Sequence, residues 1–561
     1  MTENFFVFDS NNLQNIHSHM YGYSVSIKGI LTNNYYKQKG KYEIPDPQGV
    51  YVLIIKVGNE LRLYQDFHGN FGLYFYENKQ KNYFALSNSF LLLEEYLIDK
   101  QYISINKDFT DNFIVERLCS PSIYETMIKE ITKIVPNTFL IIDIVNKTFK
   151  FKNINYEENT VPFESEEGLK IIDKWVDKWG YIIRSLIKKT NNVSTDLSGG
   201  FDTRTVLSIF LSSGIDINKL LVISDKDEKH CHKEDFKIAS NISYKYGFKL
   251  NNYNLDNNGI QWGLKNTLLC TIYSKLGFHK EFYLRTKFFK RPRFKFHGGG
   301  EVRGYPALPI KKYIEEISSQ GRFLGKDFYL SSERLCKRSV DLIKKNKKYN
   351  NDYEIACSFY SKGRSVNHDG KTALEGFIAN TYYLQPLIDP DIKKIKFDVN
   401  SNSTHDLIAF IYIRFAEDLV NFEFQGNRTL NSESIKKAKR LNKLFQPYKI
   451  KSDYNNNFYI DVKRMSPVPK SDEQKNADLF LSELFNSSKF IHTINKLYKN
   501  HIYQWAYRNI KKSNYFPLRH LYGLLSVAIT IDCLSLNELY MNKFNVEKDF
   551  KENKRIIDLI Q

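Results

Sequence analysis

The sequence predicts an α/β protein in three parts: an amino-terminal β-sandwich over residues 1–155, a doubly wound parallel sheet over 165–450, and a helical extension over 470–561. Three observations carry this reading. Short aromatic and β-branched runs separated by Gly and Asn turns fill the first part, as antiparallel strands do. Strand-like and helix-like runs then alternate from about residue 168 to about 305, the pattern of a sheet whose strands are joined by helical crossovers. From about residue 310 onward the pattern turns helical.

The elements follow in order. Gly49 to Ile55, Leu61 to Asp66, Gly72 to Tyr76 and Asn82 to Ser87 read as strands of the first part. In the second part Trp175 to Lys188 predicts a helix, Val193 to Leu197 a strand, Asp202 to Ser213 a helix, Leu220 to Ser224 a buried strand and Glu234 to Tyr246 a helix. Thr404 to Val420 is the clearest of the later helical runs. The asparagines around Tyr454 to Phe458 and the prolines of Ser466 to Pro469 predict a linker before the helical tail.

At 561 residues the chain is too long for one compact core, and 42% hydrophobic with 15% aromatic residues suffices for folding throughout. The formal charge of +19 comes from lysines scattered among asparagines and isoleucines, so a nucleic-acid partner is not expected from charge alone. Basic clusters occur at Lys287 to Lys295, Lys344 to Lys348 and Lys436 to Arg440; the last two read as solvated faces. The first runs straight into a glycine-rich turn, a position suited to an anionic ligand. Six cysteines without a C-x-x-C spacing indicate neither a zinc site nor a disulfide framework, and the neighbours His230, Cys231 and His232 do not converge on one ion. With no apolar run of spanning length and no leader-like start, the expected setting is the cytoplasm.

The most informative segment is Val193 to Arg204, where a β-branched run ends in Ser198-Gly199-Gly200-Phe201-Asp202-Thr203 and turns into an amphipathic helix. Adjacent glycines let successive backbone N–H groups converge, and the helix aims the positive end of its dipole at the same point, so the segment can hold a phosphate chain. Ser198 and Thr203 add hydroxyls; Asp202, in the first helical turn, can cap free N–H groups or reach a magnesium ion bridging phosphate oxygens. No Gly-Lys-Ser/Thr follows, so this is not a Walker A loop.

The segment resembles the pyrophosphate loop, Ser-Gly-Gly-x-Asp-Ser/Thr, of the asparagine synthetase-like enzymes and other ATP pyrophosphatases. A second stretch, His297-Gly298-Gly299-Gly300-Glu301-Val302-Arg303-Gly304-Tyr305, is similar to that family's glycine-rich acidic turn, with Glu301 where the family usually has a magnesium-binding Asp. A third, Tyr383-Leu384-Gln385-Pro386-Leu387-Ile388-Asp389-Pro390, resembles the family's Arg-x-Pro-Phe-Leu-Asp segment near the substrate pocket, with Gln385 in place of the arginine. Lys233-Glu234-Asp235 before Ala239 matches the family's acidic pair, and Gln65 to Tyr74 looks like an element of its glutaminase domain. The resemblance covers roughly residues 1–445. It implies an amino-terminal-nucleophile (Ntn) hydrolase-like sandwich followed by an adenine nucleotide alpha hydrolase-like (HUP) synthetase domain.

What the family requires for glutamine hydrolysis is missing. The chain starts Met1-Thr2-Glu3-Asn4 and its first cysteine is Cys119; Thr2 is the one terminal residue able to serve as nucleophile, but the family's Asn-Gly-Glu pocket is absent. The expectation is therefore a retained scaffold without glutaminase chemistry. For the second part, the resemblance implies an amide ligase that uses ATP and Mg²⁺, makes an acyl-adenylate and pyrophosphate, and passes the acyl group to ammonia or an amine. Ser198, Gly199, Gly200, Asp202, Thr203 and Gly299 would hold the nucleotide phosphates, Leu197, Val222 and Ser224 would flank adenine, and Asp202 and Glu301 would bind the metal. The lysine that such enzymes place near the α-phosphate has no clear counterpart; Lys371 and Arg428 are the candidates, with Lys436 and Lys437 slightly beyond the expected spacing. The substrates implied are a small-molecule, sugar or peptide carboxylate and an amine donor, with a homodimer left open. Two other readings stand beside this one: a pyrophosphate-loop tRNA-modifying enzyme and a non-catalytic binding scaffold.

Overall fold

The computed structural model describes residues 4–116, 120–154, 160–226, 232–252, 259–261, 270, 273–274, 287–289, 291–299, 306–346, 348–396, 405–450, 457–461, 484–485, 487–498 and 515–534. It is mixed α/β, with antiparallel sheets first and a parallel sheet after them.

The amino-terminal part is built from two antiparallel sheets. One runs in the order Val7–Asp9, Tyr83–Ser87, Tyr74–Asn78, Ile131–Lys133; the other runs Thr148–Asn153, Thr138–Asp143, Glu60–Gln65, Gly49–Val57, His19–Ser26, Gly29–Thr32. Along Gly49–Val57 the residues alternate between two buried faces. Val50, Val52 and Ile54 meet Phe75, Phe84 and Leu86 of the other sheet in one core, while Tyr51 and Leu53 pack with Tyr36 of the helix Asn33–Lys39. Phe149 clamps the two layers, its ring 4.8 Å from Phe75 and 5.1 Å from Phe84. The four predicted strand runs are present within a few residues; His19–Ser26 and Gly29–Thr32, whose polar and glycine content hides them in the sequence, complete the larger sheet.

The second part centres on four parallel strands in the order Leu221–Ile223, Val193–Asp196, Arg293–Phe296, Thr381–Leu384. The strand Val193–Asp196 comes first in the chain yet lies between the second and the third, so the topology reverses at its carboxyl end, where open α/β sheets bind ligands. The helices Phe201–Ser212 and His232–Tyr246 fall where the pattern placed them. The helix before the first strand spans Glu166–Lys189 and begins earlier than its apolar periodicity suggests, because Ser165 caps it through Gly168 N and Glu166 and Glu167 complement its dipole.

Three readings from the sequence are corrected. The region after residue 310 is not purely helical: Thr381–Leu384 is the fourth parallel strand, made possible by Asn380 in the left-handed region (φ 64°), which ends the preceding helix Val366–Ile378 and lets the chain turn back into the sheet. The supposed linker near Phe458 is tied down: Tyr459 exchanges backbone hydrogen bonds with Lys28 and Ile30 at the open edge of Gly29–Thr32, and Phe458 is buried. The described helices of the tail, Ser488–Leu497 and Tyr515–Leu534, share a core with Phe90–Leu97 and Lys107–Val115 of the first part and so belong to it spatially. Among the described residues no helix is long and apolar enough to cross a membrane.

Candidate functional site

The diglycine loop sits at the carboxyl end of Val193–Asp196 and leads into Phe201–Ser212. Its shape is held from within: Thr203 Oγ1 accepts from Ser198 N and lies 3.1 Å from Ser198 Oγ, which in turn accepts from Gly200 N. Gly200 is the helix N-cap and supplies no capping side chain, so the positive end of the helix dipole faces the bend without a side-chain cap. A Cβ at Gly200 would meet only Ser198 Oγ at 3.3 Å, whereas one at Gly199 would strike Asp235 Oδ1 at 2.6 Å. The loop therefore has one open face, at Gly200, and one packed face, at Gly199.

The packed face is held by residues that the sequence did not bring to the loop. Gly199 N donates to Asp235 Oδ1 at 2.8 Å, Gln425 N donates to Gly199 O at 3.1 Å, and Gly426 N donates to Glu234 Oε1 at 2.6 Å. The acidic pair thus stitches the turn between Phe424 and Arg428 onto the diglycine bend. Arg428 belongs to this turn: its Nε donates to Gln425 O, and its guanidinium lies 5.9 Å from the Phe201 ring centroid. Buried Arg204 anchors the same turn by donating to Phe422 O and Glu423 O and by stacking on Phe424.

Gly298, the first glycine of the second motif, forms the neighbouring wall. A Cβ on Gly298 would lie 2.8 Å from Thr203 N, so only glycine permits this approach of the two loops. His297 leaves the strand Arg293–Phe296 beside it, its Nδ1 buried with no hydrogen-bond partner among the described residues and its Nε2 at an ion-pair distance of 3.8 Å from Asp369 Oδ1. Asp369 also faces His368 Nδ1 at 3.2 Å and accepts from Ser365 Oγ at 2.8 Å. Burial pushes its carboxyl up, but the two imidazoles outweigh that and hold it well below the usual carboxylate range. Ser365 has a single proton; once it goes to Asp369, the 3.2 Å contact from His68 of the sandwich requires a proton on His68 Nε2. The segment leading to this helix, Tyr360–Ser365, is π-helical. His297 opens the glycine-rich stretch but was given no role there, and Asp369 reaches it only through the fold.

The remaining candidates divide. Leu197 and Val222 are buried beside the loop in the parallel sheet. Ser224 is clasped by Asn251, whose side chain accepts from Ser224 N and donates to Ser224 O at 2.9 and 2.8 Å, so its backbone edge is already engaged. Lys371 is buried in Val366–Ile378, 3.8 Å from Glu375; two residues beyond Asp369, it projects from a different side of that helix and does not join His297. Of the two cation candidates, Arg428 is the one brought to the diglycine loop. Lys436 pairs with Glu433, and Lys437 with Asp406 and Glu164, as a solvated face would. In the first basic cluster, Lys295 pairs with Asp196 at 2.8 Å and Arg293 Nε donates to Ser194 Oγ, so both serve the sheet. Glu301, Thr2, Cys119 and most of the His230 cluster lie outside the described residues.

The third motif is a junction. Gln385, 1% exposed, receives Gln48 Nε2 on its backbone oxygen and Asn70 Nδ2 on its side-chain oxygen, while Trp175 Nε1 donates to Pro386 O and Trp179 Nε1 to Asp389 Oδ2. It joins the sandwich to the parallel-sheet part through buried hydrogen bonds. Among the described residues no cluster of three or more His, Cys, Asp or Glu residues is arranged to hold a metal. Magnesium in nucleotide sites commonly uses one or two carboxylates with phosphate oxygens, and Asp202, in the first turn beside the open face, fits that role. The chain matches no family model and no curated protein.

Proposed function

We propose that this chain is an ATP-dependent amide ligase that forms AMP and pyrophosphate, an asparagine synthetase-like synthetase domain of HUP type joined to an Ntn-like sandwich that hydrolyses no glutamine. The observation that carries the reading is the uncapped diglycine loop at the sheet's switch point, with Gly298 packed against Thr203. In the first step a substrate carboxylate oxygen bonds to the α-phosphorus and the bond to the β-phosphate bridging oxygen breaks, releasing pyrophosphate. The start of the helix after Gly200, with the Ser198 and Thr203 hydroxyls, receives the departing charge. Magnesium, held by Asp202 and the phosphates, would supply further charge neutralisation. In the second step an amine nitrogen bonds to the acyl carbon, the bond to AMP breaks, and the amine gives up a proton. His297, backed by Asp369, is the group beside the loop suited to accept that proton.

The test is pyrophosphate release from ATP and Mg²⁺ across a panel of small, sugar and peptide carboxylates. Asp202→Ala is expected to lower the rate by about a hundredfold or more, the scale of losing a transition-state charge contact; full activity in this variant would remove the assignment. A second reading, a non-catalytic scaffold, draws on the engagement of Gly199 by Asp235 and of Ser224 by Asn251. It predicts no turnover with any carboxylate and no saturable ATP binding by the purified chain.

A further inference from the structure

A cavity of about 40 Å³ lies in the amino-terminal part, where Ile131–Lys133 faces the helices Phe90–Leu97 and Lys107–Val115, and its lining shares no residue with the glycine loops. Its apolar walls include Tyr74, Phe90 and Phe113, and Lys133 and Asn367 line it as well. Lys133 is 6% exposed, and among the described residues its ammonium makes one hydrogen bond, 3.0 Å to Asn367 Oδ1. An ammonium has three N–H donors.

The polar neighbours are already committed. Asn367 Nδ2 donates to Ser120 O and Ser122 O, Ser120 Oγ donates to Asn112 Oδ1, and Thr126 Oγ1 engages Ile128 O and Ile131 O. Glu125, the carboxylate in the lining, is taken by Arg338 through both oxygens and by Asn106. Lys133 is thus a cation held in an apolar recess with no carboxylate partner among the described residues, and burial pushes its ammonium down to about 8.

We propose that this cavity is a binding site for a short monocarboxylate, acetate in size, whose oxygens take the unused N–H groups of Lys133 and whose methyl group lies among the aromatic rings. The volume sets the size. One water occupies about 10–15 Å³ on this scale, so the space suits about three or four heavy atoms. The charge sets the class, because an anion supplies the counter-charge that the recess otherwise lacks. The proposal is independent of the nucleotide reading.

The experiment is calorimetric titration of the full chain with sodium acetate, with sodium chloride as the comparison anion. Saturable binding is expected near neutral pH. It should weaken about tenfold between about pH 7 and about pH 9, since acetate selects the ammonium form and the free amine population grows above 8. Lys133→Met, which keeps the stem and removes the charge, should weaken binding by about tenfold or more. Absence of saturable binding up to about 100 mM, far weaker than any ordinary site, binding that does not change with pH, or equal binding by a folded Lys133→Met chain would each overturn the proposal. The wild-type pH series decides the matter by itself if that variant fails to fold. Chloride that binds as tightly as acetate would overturn the carboxylate assignment, because the methyl group would then contribute nothing.

Discussion

Glu94 sits in the helix Phe90–Leu97 with both carboxyl oxygens buried and, among the described residues, no hydrogen-bond partner. Burial pushes its carboxyl well above the ordinary range, so the folded chain keeps a proton that the unfolded chain releases above about pH 4.5. The sign follows: stability falls as pH rises from that value toward the raised pKa of the folded state. Glu94→Met, similar in shape and uncharged, is expected to raise stability by about 1–3 kcal/mol near pH 8 and by less near pH 4.5; urea midpoints measured across that range check it, and a gain independent of pH would contradict it. Gly298 makes the opposite kind of demand. Alanine there would place a methyl 2.8 Å from the Thr203 backbone nitrogen, and backbone cannot yield as a flexible side chain does. Gly298→Ala should cost about 1–3 kcal/mol in thermal unfolding and separate the two glycine loops; an unchanged melting temperature would show that they do not depend on each other.

At the scale of elements, the helix Glu166–Lys189 meets the third motif through a buried charge cluster. Lys178 Nζ lies 2.9 Å from Asp389 Oδ2 and 3.8 Å from Asp46, and Trp179 shares Asp389. Burial works against the Lys178 charge, but the carboxylates prevail and raise its pKa. Lys178→Met would strand both carboxylates and is expected to cost about 3–5 kcal/mol near pH 7, with part regained in acid as Asp46, whose carboxyl burial already pushes up, takes up a proton; chemical denaturation at two pH values measures it. The diglycine loop, the helix after it and the alternating strands of the sandwich were legible because their signals are local: glycine pairs, hydroxyl spacing, periods of two and of 3.6. What was not legible depends on contacts across the chain. Asp235 reaches Gly199, Asn251 reaches Ser224 and Asp369 reaches His297 only after the sheet has formed. Thr381–Leu384 carries three strand-forming residues within a helical stretch, and only its pairing with Arg293–Phe296 identifies it as the fourth strand. The third motif, which the resemblance sets near a substrate pocket, spends the side chain of Gln385 on Asn70 of the sandwich, a contact no local pattern announces.

At the scale of the whole molecule, the sandwich and the parallel-sheet part do not have separate cores. One contiguous hydrophobic cluster runs from Phe8 and Val52 through Trp175 and Phe296 to Tyr412 and Phe458. Tyr23 lies at the seam, its hydroxyl donating to Tyr383 O at 2.7 Å and its ring packed on Phe377 and Tyr382. Farther along the boundary, Arg338 of Lys326–Asn346 pairs with Asp108 and Glu125, and Ser331 donates to buried Asp111. Domains that unfold separately are usually joined by modest, polar interfaces. Here the boundary is apolar at its centre and hydrogen-bonded around it, so opening it would expose core side chains worth about 1.5–3 kcal/mol each when fully buried. The expected outcome is that both parts melt together: scanning calorimetry should give one transition, and fluorescence from Trp175 and Trp179 at the seam should change at the same temperature as far-ultraviolet dichroism. Chains cut between the parts, ending near residue 155 or starting near 165, should be insoluble or partly folded, because each would present half of a shared core to water. Two resolved transitions in the intact chain, or a soluble, cooperatively folded amino-terminal fragment, would show that the seam is a contact between independent domains.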